Sequence, residues 1–129
     1  MGYVLFGMAR WIVDGMNVIG SRPDGWWRDR AGAKRRLAQA LVPLAERGDE
    51  VTVVFDGGRP RKPIEAPHVS VQFAPGGPNA ADHRIVELVD ADPDPETITV
   101  VTSDGELADR VQAHGAKVFG SRSFRRELV

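Results

Sequence analysis

Apolar residues fall along this chain in two alternating textures. Short runs rich in valine and isoleucine (Trp11 to Val13, Val51 to Phe55, Val69 to Phe73, Ile98 to Val101, Val118 to Phe119) alternate with longer stretches in which leucine, alanine and isoleucine recur every three or four positions. The first texture predicts strands and the second helices. Their alternation predicts a parallel sheet covered by helices, not an all-β or all-α design. Five strands are expected, at Arg10 to Asp14, Val51 to Asp56, His68 to Phe73, Ile98 to Thr102 and Lys117 to Phe119.

The first helix is expected from Trp27 to Arg47, with Leu37, Leu41 and Leu44 at helical spacing and Gly48 as its stop. Pro43 interrupts it, because a proline there removes a backbone bond and kinks or divides the helix. Asn79 follows Pro75-Gly-Gly-Pro78 as an N-cap, opening a helix with Ala81, Ile85, Leu88 and Val89 toward the core and Asp82 in its first turn. Ser103 and Glu106 have capping-box spacing for a helix carrying Leu107, Ala108 and Val111, which Gly115 ends. A short tail helix is expected from Ser121. The segment Arg59 to Pro67, with three prolines, is expected to be an exposed loop.

A length of 129 residues with 42% hydrophobic content fits one compact domain. It is divided here into an N-terminal extension at residues 1–9 and the domain proper at 10–129. A formal net charge of -1 rules out a polybasic nucleic-acid binder or an acidic tail protein, so attraction to polyanions must come from local patches. The absence of cysteine removes disulfides, thiolate zinc sites and cysteine nucleophiles, leaving oxygen ligands for any metal. Met1 to Ala9 is too short to cross a bilayer and lacks the basic start and long apolar core of a secretory signal. Phe6 stands where a myristoylation motif needs Ser or Thr. The expected location is the cytoplasm, with no membrane association.

Against this background the placement of carboxylates carries the most information. Asp14, Asp56 and Asp104 each come at or just after the end of an apolar strand. Parallel strands end on one edge, so acids far apart in sequence converge there, in the crevice where such folds bind ligands. Each acid alone has a simpler explanation: Asp14-Gly15 as a turn, Asp82 and Asp104 as residues near a helix N-terminus. Right-handed crossovers nevertheless bring the starts of both later helices toward the edge holding Asp14, so Asp14, Asp82 and Asp104 are expected to share a site. Clustered acids are unfavourable without shared protons or cations. Mg²⁺ or Mn²⁺, with oxygen ligands and retained waters, is the matching cofactor, and phosphodiester hydrolysis the matching reaction. Asp104 or a metal-bound water is the candidate base. No twelve-residue loop of alternating oxygen ligands marks a calcium-storage site. Asn17 adds a neutral amide beside Asp14.

These residues also carry a resemblance. The stretches Ile12-Val-Asp-Gly-Met-Asn-Val-Ile19, Val54-Phe-Asp-Gly57, Ala81-Asp-His-Arg-Ile85 and Val101-Thr-Ser-Asp-Gly-Glu-Leu107 together resemble the NYN branch of the PIN-like nuclease superfamily, near its YacP-like members. The likeness covers most of Arg10 to Phe124, including the closing Gly115-Ala-Lys-Val-Phe119 and Ser121-Arg-Ser-Phe124. It implies a single three-layer, Rossmann-like PIN domain of the α/β class with a mostly parallel sheet. It also implies a metal-dependent endoribonuclease with Asp14, Asp82 and Asp104 as the acidic triad. Asn17 and Asp56 would support the triad, and Ser103 would orient a phosphate or a metal-bound water. Asp109, about 140° round the helix from Asp104, is not expected to face the same metal.

For the substrate, Arg22, Arg28, Arg30 and Lys34 follow the first strand, and Arg59, Arg61 and Lys62 follow the second. They form a candidate positive rim for RNA whose affinity would fall with salt, the plainer reading being a solvated helix face. Trp26 and Trp27 are candidates to stack on an unpaired base or to pack in the core, which favours single-stranded or loop RNA. His83 points away from Asp82 by about 100° and is not expected to act as an acid. Two rivals remain: a noncatalytic RNA-binding module on the same fold, and a phosphoacceptor receiver built on Asp56.

Overall fold

The computed structural model describes residues 9–128. The expected extension at 1–9, and with it the reading of Gly2 and Phe6, lies outside the described residues except for Ala9. Five strands form one parallel sheet: β1 (Arg10–Asp14), β2 (Glu50–Asp56), β3 (Val69–Ala74), β4 (Ile98–Val101) and β5 (Lys117–Phe119). They pair in the order β3-β2-β1-β4-β5, every pair parallel. This is the Rossmann-like order, not the 2-1-3-4-5 order of receiver domains, so the phosphoacceptor reading fails on topology.

Among the described residues six helices cover the sheet: α1 (Gly15–Gly20), α2 (Arg30–Ala40), α3 (Val42–Glu46), α4 (Ala80–Ala91), α5 (Gly105–Ala113) and α6 (Ser121–Glu127). Successive strand residues face opposite sides. Val13, Val51, Val53, Phe55 and Val101 therefore pack beneath α1, α2, α3 and α6. Ile12, Val54, Ile98 and Val100 pack beneath α4 and α5, against Ile85, Val89, Leu107 and Val111. Burial on both faces is why the strands read as continuous Val/Ile runs. Among the described residues no helix is long and apolar enough to cross a membrane.

The strand expectations hold to within a residue at each end. The single helix from Trp27 to Arg47 does not: a 3₁₀ turn at Trp26–Arg28 precedes α2, and Pro43 sits in the first turn of a separate α3, where its missing N–H costs nothing. α1 was not expected. It starts directly after Asp14 and presses on β2 so closely that a Cβ on Gly15 would overlap the Phe55 ring, which is why glycine follows the aspartate.

Candidate active site

β1 is the point where chain order reverses, with β2 and β3 laid down on one side and β4 and β5 on the other. The crevice between the ends of β1 and β4 is where such a sheet takes ligands. Asp14 ends β1 in that crevice and is only 5% exposed. Its Oδ2 accepts a hydrogen bond of 2.8 Å from the hydroxyl of Thr102, a buried residue just past β4. Thr102 Oγ1 in turn accepts from the backbone N–H of Asp104 at 3.1 Å. One threonine thus holds two acids that are far apart in sequence.

Asp104 is the N-cap of α5. Its Oδ1 accepts from the N–H groups of Glu106 and Leu107, so the cap is Asp104 and not the expected Ser103. Asp56, at the end of β2, uses Oδ1 to accept from the N–H of Ala81 at 3.0 Å. That bond performs the capping expected of Asn79, which adopts a left-handed backbone and makes no side-chain cap. Asp82 lies one residue further on, in the first turn of α4, and accepts no hydrogen bond among the described residues.

The four acids lie in one another's fields. Burial pushes Asp14 up to about 7; the Thr102 hydrogen bond pulls the other way, and the charges of Asp82, Asp56 and Asp104 add to the rise. Asp82 is also raised, first by burial and then by Asp104 and Asp56, with Arg110 and His83 opposing. Asp82, Asp56 and Asp104 thus each act on the ionisation of Asp14, and Asp104 and Asp56 on that of Asp82.

A neutral network flanks the acids. Asn17, on α1, uses Oδ1 to accept from the N–H of Ser103 at 2.8 Å and from the hydroxyl of Ser121. Ser103 Oγ accepts from the N–H of Ser121 at 2.9 Å. Ser121 is fully buried, so this network ties α6 to the end of β4. Thr102 and Ser121 had no assigned role in the sequence. A hydroxyl residue just past each of two adjacent strands was the available signal.

The expected basic residues divide into three groups. Lys34 is half-buried: its ammonium donates to the Asp56 carbonyl at 3.0 Å and lies 5.9 Å from the ring centres of Phe55 and Phe73. Burial lowers its pKa, with Asp56 opposing. Arg30 stacks over Trp26 at 4.9 Å, while Arg22 lines a groove with Trp26 and Arg36 and Arg28 is exposed. Arg59, Arg61 and Lys62 lie exposed in the connection from β2 to β3. Trp26 is partly packed on the core and meets Trp27 edge-on, leaving Trp27 48% exposed.

Among the described residues no three carboxylates or histidines stand close enough to form a closed metal cage. The donor set nevertheless suits a hard divalent cation bound in open fashion. Asp14, Asp56 and Asp104 each commit one oxygen to the fold and keep the other, and Asp82 keeps both. Mg²⁺ is typically held by one or two carboxylates and several waters, and a cation would offset both the burial and the neighbouring charges that raise Asp14 and Asp82.

Residues 11–129 match the family described as the YacP-like NYN domain. The fold matches the crystal structure of Rae1 (YacP) from Bacillus subtilis with a TM-score of 0.75 at 30% sequence identity, covering 94% of this chain and 74% of that one. A mutant of the same protein matches with a TM-score of 0.76 at 30% identity, covering 94% and 75%. No curated protein sequence matches. The family and fold matches point to a nuclease-type function directed at RNA.

Proposed function

The chain belongs to the YacP-like NYN domain family, and on that premise we propose that it is a divalent-metal-dependent endoribonuclease working at Asp14, Asp82 and Asp104. The observation that carries this reading is the buried Asp14 at the switch point of the sheet, tied through Thr102 to Asp104; burial, and after it the charges of Asp82, Asp56 and Asp104, raise its pKa. Free carboxylate oxygens of Asp14, Asp82 and Asp104 would hold Mg²⁺ or Mn²⁺. When bound, the ion supplies positive charge for the departing oxygen and makes water easier to ionise.

The remaining work falls to the chain itself. Thr102 fixes the Asp14 carboxylate and the start of α5 together. Asp104 Oδ2, left free by the helix cap, would receive a proton. Asp56 sets the start of α4 and so places Asp82. The exposed Arg22, Arg28, Arg30, Arg59, Arg61 and Lys62 attract the RNA backbone, with Lys34 contributing from its seat beside Asp56. The exposed face of Trp27 favours single-stranded or loop RNA whose bases can stack.

The test is cleavage of a mixed-structure RNA pool in Mn²⁺ or Mg²⁺, with a chelator control, by wild type and by Asp14→Asn, Asp82→Asn and Asp104→Asn. Asparagine at position 104 can still cap α5, so loss of cleavage there reports on the site and not on folding. Unchanged cleavage by all three variants excludes this site. The alternative on the same fold is a noncatalytic RNA-binding module. It predicts RNA binding without cleavage that survives all three substitutions.

A further inference from the structure

Beside the acids, α1 and the start of α6 border an open cavity of about 530 Å³ lined by Met16, Asn17, Gly20, Ser21, Ser103 and Arg122. No acid lines it, although the adjoining edge carries four. Its polar groups are oriented. Asn17 Oδ1 accepts two hydrogen bonds, which fixes the amide and leaves its Nδ2 donor unused among the described residues. Ser103 Oγ accepts from Ser121 N–H, which leaves its hydroxyl hydrogen unspent. Arg122 is exposed and makes neither a hydrogen bond nor an ion pair among the described residues. Three donors, one of them cationic, thus share a cavity whose lining includes the side-chain-free Gly20.

Resting on the ribonuclease reading above, we propose that this cavity is the subsite for the RNA backbone phosphate flanking the bond that is cut. Arg122 supplies the charge, and the Asn17 amide and Ser103 hydroxyl supply neutral hydrogen bonds. The acidic edge repels an incoming polyanion, so a strand laid across it needs compensation within one nucleotide's reach. The cavity adjoins that edge through Ser103, which immediately precedes Asp104. Its open shape suits a continuous strand passing through, and a phosphate held there sets the register of the neighbouring bond over Asp14 and Asp104.

The experiment measures binding of a short unstructured RNA, with divalent ions chelated, to wild type, Arg122→Gln and Arg126→Gln across a salt series. Arg126 lies on the same exposed helix but does not line the cavity, so it controls for net charge. Arg122→Gln is expected to weaken binding about tenfold and to lower the salt slope by about 0.7, as for one lost single-strand phosphate contact. Arg126→Gln should change neither. A scan with one neutral methylphosphonate per oligonucleotide should find a position that weakens wild type but not Arg122→Gln. Equal losses in the two arginine variants, no loss in either, or no such position overturns the subsite while leaving the ribonuclease reading intact. A wild type that binds no RNA under any condition ends both. If cleavage is seen, Arg122→Gln should raise KM with little change in kcat.

Discussion

Replacing Asp14 by asparagine should stabilise the metal-free protein, and by more at high pH than at low pH. In the unfolded chain Asp14 ionises near its ordinary value of 3.8, whereas the fold keeps it protonated up to about 7. Between those values the folded state binds more protons than the unfolded one. Stability therefore falls as pH rises through this window and is lowest above about 7. At about 1.4 kcal/mol per pKa unit, the whole interval costs about 4 kcal/mol, of which about 2.6 kcal/mol falls between about pH 5 and about pH 8.

The substituted amide does not titrate, and its carbonyl can still accept the Thr102 hydroxyl. Any packing difference between the two side chains is independent of pH. The stability gap in favour of Asp14→Asn should thus widen by about 2.6 kcal/mol, or about 10 °C in Tm for a domain of this length, between about pH 5 and about pH 8. Thermal melts of both proteins in chelator at the two pH values measure it. A gap that stays constant or narrows would refute the account of Asp14 as a buried acid strained by its neighbours. Adding Mn²⁺ at the higher pH should raise the Tm of wild type more than that of the variant.

Other substitutions test separate parts of the site. Thr102→Val keeps the shape but removes the donor to Asp14 and the acceptor for the Asp104 N–H. It should cost about 1–3 kcal/mol in urea unfolding and, because Asp14 is then raised further, move the acid limb of the cleavage pH profile upward; an unmoved limb argues against Asp14 as the titrating group. Gly15→Ala drives a methyl group into Phe55 and should destabilise by about 1–3 kcal/mol; a neutral result would mean that α1 is free to shift. Ser121→Ala removes the hydroxyl that holds Asn17, with an expected loss of about 0.5–1.5 kcal/mol and weaker RNA binding; full retention of binding would show that Asn17 needs no such anchor.

The strands were legible because a parallel sheet buried on both faces writes itself as β-branched runs, and Asp14, Asp56 and Asp104 were legible because they break those runs at one edge. α1 was not, because its six residues begin and end in glycine and are too few to show a period. The helix expected over Trp27 to Arg47 failed at Asp29 and Pro43, where a cap and a first-turn proline restart the chain. Caps were placed in the right segments but on the wrong side chains. Ser103 is diverted to Ser121, and Asn79 is displaced by Asp56, a residue 25 positions from the N–H it accepts. Local spacing does not register a tertiary donor or acceptor that competes for the same backbone group. The positive rim was legible as charge but not as geometry: Lys34 is partly spent on Asp56 and two aromatic rings, and Arg122 came into view only with the cavity it lines.

The hydrogen bonds that assemble the edge span 88 residues from Thr102 to Asp14 and 104 residues from Ser121 to Asn17. During synthesis the acids therefore leave the ribosome in sequence, each with only local neighbours. Asp14 acquires its threonine partner after β4 has emerged, and Asn17 is locked only once Ser121 has followed. The hydrogen bonds of this edge are therefore complete only once the segments around Thr102 and Ser121 have joined β1 and α1.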